Sequence, residues 1–432
     1  MSEKANVLIF PSGYENSMNI YDSLKYYAQF NVFGASSKSD HAEFVFPKSQ
    51  LYIGALSIYK EDFIDRFNEV IEAFKITYVI PTHDIIASFL AENCDLIHAT
   101  IITSPYETAR IAENKRLTYE ALKGKAFYPI VYETIEEITE YPVFIKPYIG
   151  VGSRGAVKVE DKKTLLKLFE KNSEVLISEF LPGVEITIDC FTDRKRELII
   201  SEARSRERIT NGITYHTERV EKNKEITDIA QALNECFIFR GAWYFQLKKS
   251  VDGHLKLLEI CVREAGTTSF FRQLGINFAA LSVLDAMNYD LQVLLNDCNL
   301  ALDKRVQSYY RLNYDYKTLY IDGDEMLVVK NEVNTSLIKI IYQQKNKQKK
   351  IILFTRNLKT LNRLLNKHNL CANLFDEIMT IENQEQLLSC IQEKQAVFIS
   401  SCFEDRLAVM NACQIPVFNT DAIDCLMDTS VY

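Results

Sequence analysis

The chain has 432 residues, a hydrophobic fraction of 47% and a formal net charge of −8 at pH 7. A length of this kind predicts two to four domains at roughly 100–200 residues each, and the negative charge excludes a sequence-wide basic surface for nucleic acid. No stretch approaches the roughly 18–20 apolar residues of a membrane span, and the N-terminus lacks a signal-peptide pattern. The ten cysteines form no C-x-x-C pair, which favours reduced thiols. We therefore expect a cytoplasmic protein with neither nucleic acid nor a membrane as partner.

Residues 1–106 predict a parallel α/β domain. Short apolar runs such as NVLIF and ITYVIPT alternate with helical patterns such as HDIIASFLAENCDLI, which is typical of parallel strands joined by helices. Ligands in such domains bind beyond the carboxyl ends of strands, where Pro11–Ser17 and Pro81–Asp84 fall. A turn with a helix cap also explains each segment, and it is the favoured interpretation for His83.

Residues 107–313 predict an α+β domain with an antiparallel sheet. The stretches VFIKP, GAVKVE, VLISEFLPG, VEITIDCFTD, ELIISEAR, AWYFQLKKS and LKLLEICV read as hairpin strands, with helices such as EITDIAQALNECF between them. Residues 314–432 predict a second parallel α/β domain, because TLYIDGDEML, KIILFTRN, AVFISSCFED and IPVFNT alternate with helices such as LKTLNRLLNKH.

A glycine-rich loop follows the predicted strand that carries Lys146. Its glycines are spaced G-x-G-x-x-G at Gly150, Gly152 and Gly155, which is the spacing of a dinucleotide-binding turn. That turn requires a helix after the loop, and here AVKVE continues as a strand. No Gly-Lys-Ser/Thr follows, so a P-loop is excluded as well. Two interpretations stay open: a glycine hairpin whose N–H groups cover a polyphosphate, and a solvent-exposed hairpin.

A second hairpin is predicted in AWYFQLKKSVDGHLKLLEICVRE. Asp252–Gly253 is a strong two-residue turn signal, so Val251 should face His254. Counting outward then places Gln246 opposite Glu259, with Cβ atoms about 4.5–5.5 Å apart. The pleat predicts a polar face of Glu259, Cys261 and Arg263, and a core face of Leu258, Ile260 and Val262.

The polar face of this hairpin suits Mg²⁺ and phosphate, since Mg²⁺ takes oxygen ligands and is commonly shared with substrate phosphates. An ordinary solvent face is the alternative. AENKRLTYEAL has a helical pattern that predicts one helix carrying Lys115. Lys115 and Lys146 could each supply positive charge to a polyphosphate, although each alone is better explained as a surface lysine.

The stretch VLISEFLPGVEITIDCF offers contacts for a nucleoside. Glu179 lies at a strand end and is followed by Phe180 and Leu181, and Glu185 opens the next strand. Extended backbone and apolar side chains there could contact a purine, with Glu185 reaching the ribose hydroxyls.

Together these motifs resemble the ATP-grasp superfamily, in its carbamoyl-phosphate-synthase-like branch, over about Val7 to Asn288. ENKRLTYEAL is similar to the segment with the first ATP lysine (Lys115), and VFIKPYIGVGSRG to the second lysine (Lys146) with the flap over the ATP phosphates. SEFLPGVE resembles the adenine and ribose segment, and FQ…LLEICVREAGTT the magnesium and phosphate strands. The resemblance makes the first domain a pre-ATP-grasp domain and implies ATP contacts from the flap residues Gly150, Gly152, Ser153, Arg154 and Gly155.

One position departs from the family pattern. The family usually reads Glu-x-Asn-x-Arg in the last strand, where this chain has Cys261 between Glu259 and Arg263. A thiol is a soft ligand that suits Mg²⁺ poorly. One metal site is then weak, another oxygen substitutes, or turnover is compromised.

The resemblance implies transfer of the γ-phosphoryl group of ATP to a small-molecule carboxylate, giving an acyl phosphate that an amine or other nucleophile attacks. Lys115, Lys146 and Arg263 would supply positive charge, and Gln246 and Glu259 would hold Mg²⁺, or Mn²⁺ in its place. The products would include ADP, as in an EC 6.3-type ligase. Homo-oligomerisation is left open.

An arginine cluster in EARSRERITNGITYH follows a predicted strand. Arg204 and Arg206 share one strand face and could bind the carboxylate or acyl phosphate through bidentate contacts. For Arg208 a solvated edge with salt bridges explains the sequence almost as well.

The C-terminal domain resembles the haloacid dehalogenase-like (HAD) superfamily. TLYIDGDEML is similar to its first motif, with Asp322 as nucleophile and Asp324 as acid/base, and ILFTRN to its second, with Thr355. The metal-binding acidic pair is replaced by Ser400 and Ser401, which should weaken Mg²⁺ binding. Met326 replaces the usual threonine, and Glu404 or Asp405 is the alternative source of an acidic ligand. A degenerate domain serving as a scaffold or binding module is the favoured interpretation.

Three hypotheses follow from the sequence. The leading one is an ATP-dependent carboxylate-amine ligase. The second is an ATP-binding regulator or scaffold in which Cys261 prevents efficient turnover. The third is a bifunctional protein whose HAD-like domain is an active phosphatase.

Overall fold

The computed structural model describes residues 4–150, 152 and 154–429. The chain divides into two compact units: the first runs to Val306 without Phe44–Pro47, and the second comprises Phe44–Pro47 and the residues from Gln307 onward. The predicted boundaries at residues 106 and 313 stay predictions. No helix in the part of the chain that the structure describes is long and apolar enough to cross a membrane.

The first unit begins with a five-stranded parallel sheet of order β3-β2-β1-β4-β5. Helices cover both faces, and Leu8, Val79 and Phe67 lie in the core between sheet and helices. The predicted parallel α/β fold is confirmed for this segment, with the short strand β3 as an addition. Its elements are β1 (Ala5–Phe10), α1 (Glu15–Leu24), β2 (Phe30–Ser36), α2 (Ala42–Val45), β3 (Leu51–Ile53), α3 (Phe63–Phe74), β4 (Tyr78–Pro81), α4 (Asp84–Glu92) and β5 (Thr100–Ile101).

A small antiparallel sheet follows, of order β6-β9-β7-β8. The glycine-rich loop joins β7 to β8 as predicted. The predicted single helix around Lys115 is instead two helices, because Asn114 takes an extended conformation and caps the second one with its side chain. The elements are α5 (Tyr106–Glu113), α6 (Lys115–Ala121), β6 (Val131–Tyr132), β7 (Val143–Pro147), β8 (Val157–Val159), α7 (Lys162–Lys171) and β9 (Val175–Glu179).

The largest sheet is antiparallel, with the order β12-β13-β11-β10-β14-β15 and β16 paired to β13. One face packs on α8 through Ile188, Trp243 and Phe245. The opposite face carries polar side chains at alternating positions, but Phe191 and Ile200 on it belong to a second apolar cluster. The elements are β10 (Glu185–Thr192), β11 (Leu198–Ser205), β12 (Glu207–Thr210), β13 (Ile213–Val220), α8 (Lys224–Cys236), β14 (Gly241–Lys249), β15 (Leu255–Cys261), α9 (Ser269–Gln273), α10 (Phe278–Ala286) and β16 (Ala301–Asp303).

The second unit contains a five-stranded parallel sheet of order β21-β20-β17-β22-β23. Its central strand is almost fully apolar before Asp322, as expected for a strand buried on both faces. The parallel α/β prediction is therefore confirmed here. The elements are β17 (Thr318–Asp322), α11 (Gly323–Met326), β18 (Val328–Val329), β19 (Glu332–Val333), α12 (Thr335–Asn346), β20 (Lys350–Thr355), α13 (Leu358–Lys367), β21 (Glu377–Thr380), α14 (Gln384–Cys390), β22 (Ala396–Ile399), α15 (Phe403–Cys413) and β23 (Val417–Phe418).

The hairpin β14–β15 differs from its prediction in one respect. Gln246 does pair with Glu259, but the strands are joined by a five-residue loop, because Lys249 pairs with Leu255. That register would place Leu258 opposite Gln246. A β-bulge at Leu258 adds one residue and restores the predicted pair. Leu258 is consequently half-buried rather than a core residue, and Leu257 takes its place in the core.

Candidate active site

Lys146 is buried at the end of β7. Its ammonium group donates hydrogen bonds to Tyr119 Oη (2.8 Å) and to the carbonyl oxygen of Leu258 (2.7 Å). That carbonyl belongs to the bulge residue. Burial, reinforced by the nearby Lys115, lowers the pKa of Lys146 to about 7. An anionic ligand at this position would therefore favour the charged form of Lys146.

Lys115, the first residue of α6, lies between the glycine-rich loop and β15. Its ammonium group donates to the carbonyl of Gly150 (3.2 Å) and is 3.7 Å from Glu259 Oε2. Lys146 is subject to the charges of both Lys115 and Glu259. The structure thus brings together Lys115, Lys146, Gly150 and Glu259, which were predicted from separate motifs.

A row of polar side chains crosses the face of the large sheet that lies opposite α8, and Thr187, Gln246 and Arg204 in it are buried. Register places Gln246 opposite Glu259 on one side and opposite Thr187 on the other, and Thr187 pairs in turn with Arg204. Directly paired residues project to the same face. Glu259, Gln246 and Arg204 therefore share one surface, and Arg204 lies about 10 Å along the sheet from Gln246 at about 4.8 Å per strand.

The glycine-rich loop requires glycine at two positions. Gly152 has φ of +63° and Gly155 has φ of +75°, in the left-handed region that L-residues with a Cβ disfavour. A Cβ on Gly155 would also lie 3.0 Å from Pro147 Cγ. Arg154 is exposed, and Ser153 lies outside the described residues.

The predicted nucleoside segment begins at Glu179, the last residue of β9. Glu179 Oε1 accepts a hydrogen bond from the Ile130 amide (2.8 Å). Phe180 is half-buried, with Lys158 Nζ 4.7 Å from its ring centre, and Leu181 is buried. Glu185 opens β10, with Oε1 at 3.1 Å from Arg206 Nε, and its charge acts on Lys146.

The arginine cluster separates into three environments. The guanidinium Nε of Arg204 is 2.7 Å from Asp189 Oδ2, and both side chains are almost completely buried. Arg206 contacts Glu185 and the carbonyl of Gly212 (3.0 Å). Arg208 is exposed and pairs with Asp303, as its alternative interpretation predicted.

Arg263 contacts Asp84, an interaction that the sequence reasoning did not include. Arg263 Nη2 is 2.6 Å from Asp84 Oδ2. Burial opposes the charged form of Asp84, but the Arg263 guanidinium outweighs it and holds the pKa of Asp84 below its usual value. The segment Pro81–Asp84, a candidate ligand loop in the sequence, thus contacts the large sheet through Asp84. His83 lies next to Asp84 and is the N-cap residue of α4, but its side chain makes no capping hydrogen bond. Burial and the charge of Arg263 lower the pKa of His83.

The donor set on β14 and β15 fits Mg²⁺ as a partner of a bound phosphate. Within the described ranges, no three His, Cys, Asp or Glu side chains gather closely enough to hold a metal by themselves. Mg²⁺ is commonly bound by one or two protein oxygens together with substrate phosphates, and Gln246 and Glu259 offer that number. Cys261 is buried, and burial raises the pKa of its thiol well above the usual value, so it is a poor Mg²⁺ ligand.

The second unit has a polar cluster at the carboxyl ends of β17, β20 and β22. Asp322 Oδ2 accepts from Ser400 Oγ (2.9 Å), and burial raises the pKa of Asp322. Asp324 accepts from Thr355 Oγ1 (2.5 Å) and from the Arg356 amide (2.8 Å). The three residues predicted here are therefore close together, and both carboxylates already have donors within the protein.

Residues 171–300 match the family model described as "ATP-grasp in the biosynthetic pathway with Ter operon". A D-alanine–D-alanine ligase of Pelagibacter ubique is 28% identical over 205 residues, which cover 44% of this chain and 63% of that enzyme. One of Phocaeicola vulgatus is 33% identical over 84 residues, 18% of this chain and 26% of the enzyme. The chain thus matches less than two thirds of these relatives' length.

Two solved structures share the fold. The biotin carboxylase domain of Hydrogenobacter thermophilus 2-oxoglutarate carboxylase, in complex with MgADP, ADP and bicarbonate, gives a TM-score of 0.57 at 14% identity, covering 68% of this chain and 72% of that one. The L-amino acid ligase of Bacillus licheniformis gives 0.52 at 17% identity, covering 66% and 75%. The chain is thus similar to an ATP-grasp family over residues 171–300 and to D-alanine–D-alanine ligases over part of their length, and it shares the fold of the two solved structures.

Proposed function

We propose, from the ATP-grasp fold and the site assembled on it, that this protein is an ATP-dependent ligase that joins a small-molecule carboxylate to an amine or related nucleophile, forming ADP and phosphate. The observation that carries the proposal is the convergence of Lys115, Lys146, Gln246 and Glu259 beside the glycine-rich loop. The carbamoyl-phosphate-synthase-like branch remains part of the proposal.

In this mechanism the carboxylate attacks the γ-phosphorus of ATP, the bond to the β-phosphate oxygen breaks, and ADP leaves. The resulting acyl phosphate is attacked by the amine, which expels phosphate. Lys115 and Lys146 hold the polyphosphate, and Arg263 stabilises charge on the transferred group. Mg²⁺ held by Gln246 and Glu259 would neutralise phosphate charge when bound, and Mn²⁺ would serve the same role.

The remaining predicted residues bind the substrates. The flap residues Gly150, Gly152, Ser153, Arg154 and Gly155 cover the phosphates and exclude water. The segment Glu179–Leu181 contacts the adenine, and Glu185 the ribose. Arg206, beside Glu185, faces the nucleotide, and Arg204 binds the carboxylate only if it is released from Asp189. The named activities of the D-alanine–D-alanine and L-amino acid ligases support amino acids as the first substrates to examine.

The test is ADP formation from Mg²⁺-ATP across amino acids, hydroxy acids and sugar acids, each with and without ammonia or an amino-acid nucleophile. Lys146→Ala and Glu259→Gln should each abolish substrate-dependent ADP formation. Lys256→Ala is a matched control, because Lys256 lies on the same strand as Glu259 but donates to the Ala126 carbonyl (3.0 Å). Unchanged turnover in either site variant would refute the assignment.

A second candidate function is an ATP-binding regulator or scaffold, which the buried Cys261 favours because its thiol replaces an oxygen ligand. This candidate predicts ATP binding without ADP formation for every acceptor pair. The panel that tests the ligase therefore also distinguishes the two.

For the second unit we propose a HAD-like fold that binds without catalysing. The grouping of Asp322, Asp324 and Thr355 at the ends of parallel strands supports this fold. The bond from Ser400 to Asp322 supports a degenerate site, because a neutral hydroxyl occupies the position where an acidic metal ligand is expected. Phosphate release from an aryl phosphate that Asp322→Asn abolishes would instead identify a phosphatase.

A further inference from the structure

Arg263 is held at two of its three guanidinium nitrogens. Nη2 donates to Asp84 Oδ2 at 2.6 Å, and Nη1 donates to the carbonyl oxygen of Glu264 at 3.0 Å. The side chains of Arg263 and Asp84 are each only 13% exposed. The guanidinium carbon is also 5.5 Å from the centre of the Tyr244 ring. The guanidinium plane is therefore fixed from several sides.

One of the groups that hold Arg263, the Asp84 carboxylate, comes from a different sheet. Asp84 begins α4 directly after β4 of the parallel sheet, whereas Arg263 follows β15 of the large antiparallel sheet. The Glu264 carbonyl also accepts from Asn16 Nδ2 (3.0 Å), and the same amide donates to the carbonyl of Thr82 (3.3 Å). The first turn of α1, which follows β1, and the segment that follows β4 thus both lie close to the residues around Arg263.

One guanidinium nitrogen of Arg263 makes no hydrogen bond among the residues that the structure describes. Arginine–carboxylate pairs are frequently bidentate, but here a single nitrogen and a single oxygen are joined. Arg263 Nε is buried and, among the residues that the structure describes, has no hydrogen-bond partner, and the same is true of Asp84 Oδ1. A buried polar group without a partner is rare and costs stability. The unused Nε–H is thus available to an acceptor brought by a ligand.

We propose that Asp84 is a positioning residue for Arg263: it takes Nη2, Glu264 takes Nη1, and Nε is left to donate to an anionic oxygen of the reacting phosphoryl or carboxylate group. This inference rests on the proposed ligase function. A donor fixed before the reaction needs no reorientation as charge develops, which is the basis of electrostatic stabilisation in enzymes. Asp84 acts only through Arg263 in this arrangement.

The kinetic test compares Asp84→Asn and Asp84→Ala with wild type in the full-length protein. We expect kcat for ADP formation to fall about tenfold or more, with KM for ATP changed less than about twofold, because Lys115 and Lys146 are untouched. In the Arg263→Ala background, Asp84→Ala should have no further effect on kcat, since the residue it positions is gone. Multiplying effects in the double variant would overturn the proposal. Asp285→Asn is a matched control, because Asp285 is also buried and is 3.2 Å from Arg240 Nε.

A readout independent of turnover is the Nε–H NMR signal of Arg263 in protein labelled with ¹⁵N-arginine, identified by its absence in Arg263→Lys. Asp84→Ala should broaden or shift this signal, and Asp285→Asn should leave it in place. An unchanged signal in Asp84→Ala overturns the proposal whatever the activity. A changed signal in a protein whose wild type forms no ADP with any acceptor would reject the ligase function and retain the hold of Asp84 on Arg263.

Discussion

Lys146 donates a 2.7 Å hydrogen bond to the carbonyl oxygen of Leu258, and Leu258 is the extra residue of the β-bulge in β15. A bulge residue is left out of the strand pairing, which allows its carbonyl to point at a side chain. The same bulge sets the pairing of Gln246 with Glu259. One local irregularity thus positions both a lysine and the proposed metal ligands.

ATP binding should take up a proton at neutral and mildly alkaline pH. The pKa of Lys146 is lowered to about 7 by burial and Lys115, and the phosphate charges will raise it again, so the amine is protonated on binding above pH ~7. Uptake should vanish below that pH, where Lys146 is already charged. Calorimetry in buffers of different ionisation enthalpy measures the uptake, and Lys146→Met should remove it. Equal uptake in Lys146→Met would assign the proton to another group.

Cys261→Asn should strengthen binding of the divalent cation in the presence of ATP. An amide oxygen is a better Mg²⁺ ligand than a thiol, and Cys261 is the second residue after Glu259 on the polar face. We expect the Mg²⁺ concentration for half-maximal ADP formation to fall by about threefold or more. Cys413→Asn is the control, since Cys413 is buried in the second unit. No change in Mg²⁺ dependence would show that the thiol is not limiting.

Arg204→Ala should reduce stability strongly. It leaves the carboxylate of Asp189 buried without its partner, and breaking a buried ion pair from one side costs about 3–5 kcal/mol. Urea unfolding followed by circular dichroism gives the free energy of unfolding. The double variant Asp189→Leu with Arg204→Met should recover much of it, because no unpaired charge remains. Arg204→Ala with normal stability and no turnover would instead favour a direct role with the substrate carboxylate.

The second unit should release no phosphate from p-nitrophenyl phosphate at any Mg²⁺ concentration. Ser400 and the Asp324 amide already donate to Asp322, and burial raises the pKa of this carboxyl, which disfavours its anionic, nucleophilic form. Asp322→Asn should leave ADP formation by the first unit unchanged. Release that Asp322→Asn abolishes would contradict the prediction.

Contacts between elements that are close in sequence could be predicted. The pairing of Gln246 with Glu259 was predicted correctly because two differences compensate: the loop is longer than the predicted two-residue turn, and the bulge at Leu258 adds one residue to β15. The bulge itself could not be predicted, because nothing in the apolar run LKLLEI distinguishes Leu257 from Leu258. The proximity of Thr355 to Asp324 was predicted only through the family resemblance. In the structure the parallel pairing of β17 with β20 brings the two residues together.

The contact of Asp84 with Arg263 could not be predicted, although both residues lay in segments already selected. They are 179 residues apart, and alternation within a strand says nothing about which loop of another sheet faces it. Burial of Arg204 was missed for a related reason: its partner Asp189 lies on the neighbouring strand, and a pattern of alternating residues does not separate a substrate-facing arginine from one that is neutralised by a neighbour.

In the β14–β15 hairpin the pairing near the site is independent of the length of its turn. The pair Lys249–Leu255 closes the loop Ser250–His254, and the bulge at Leu258 lies between this pair and Glu259. Asp252 and Gly253 are exposed at its tip. This tip is therefore a suitable place to insert a peptide tag or fluorophore, because added residues would lie outside the bulge and the pair Gln246 and Glu259 would keep its register.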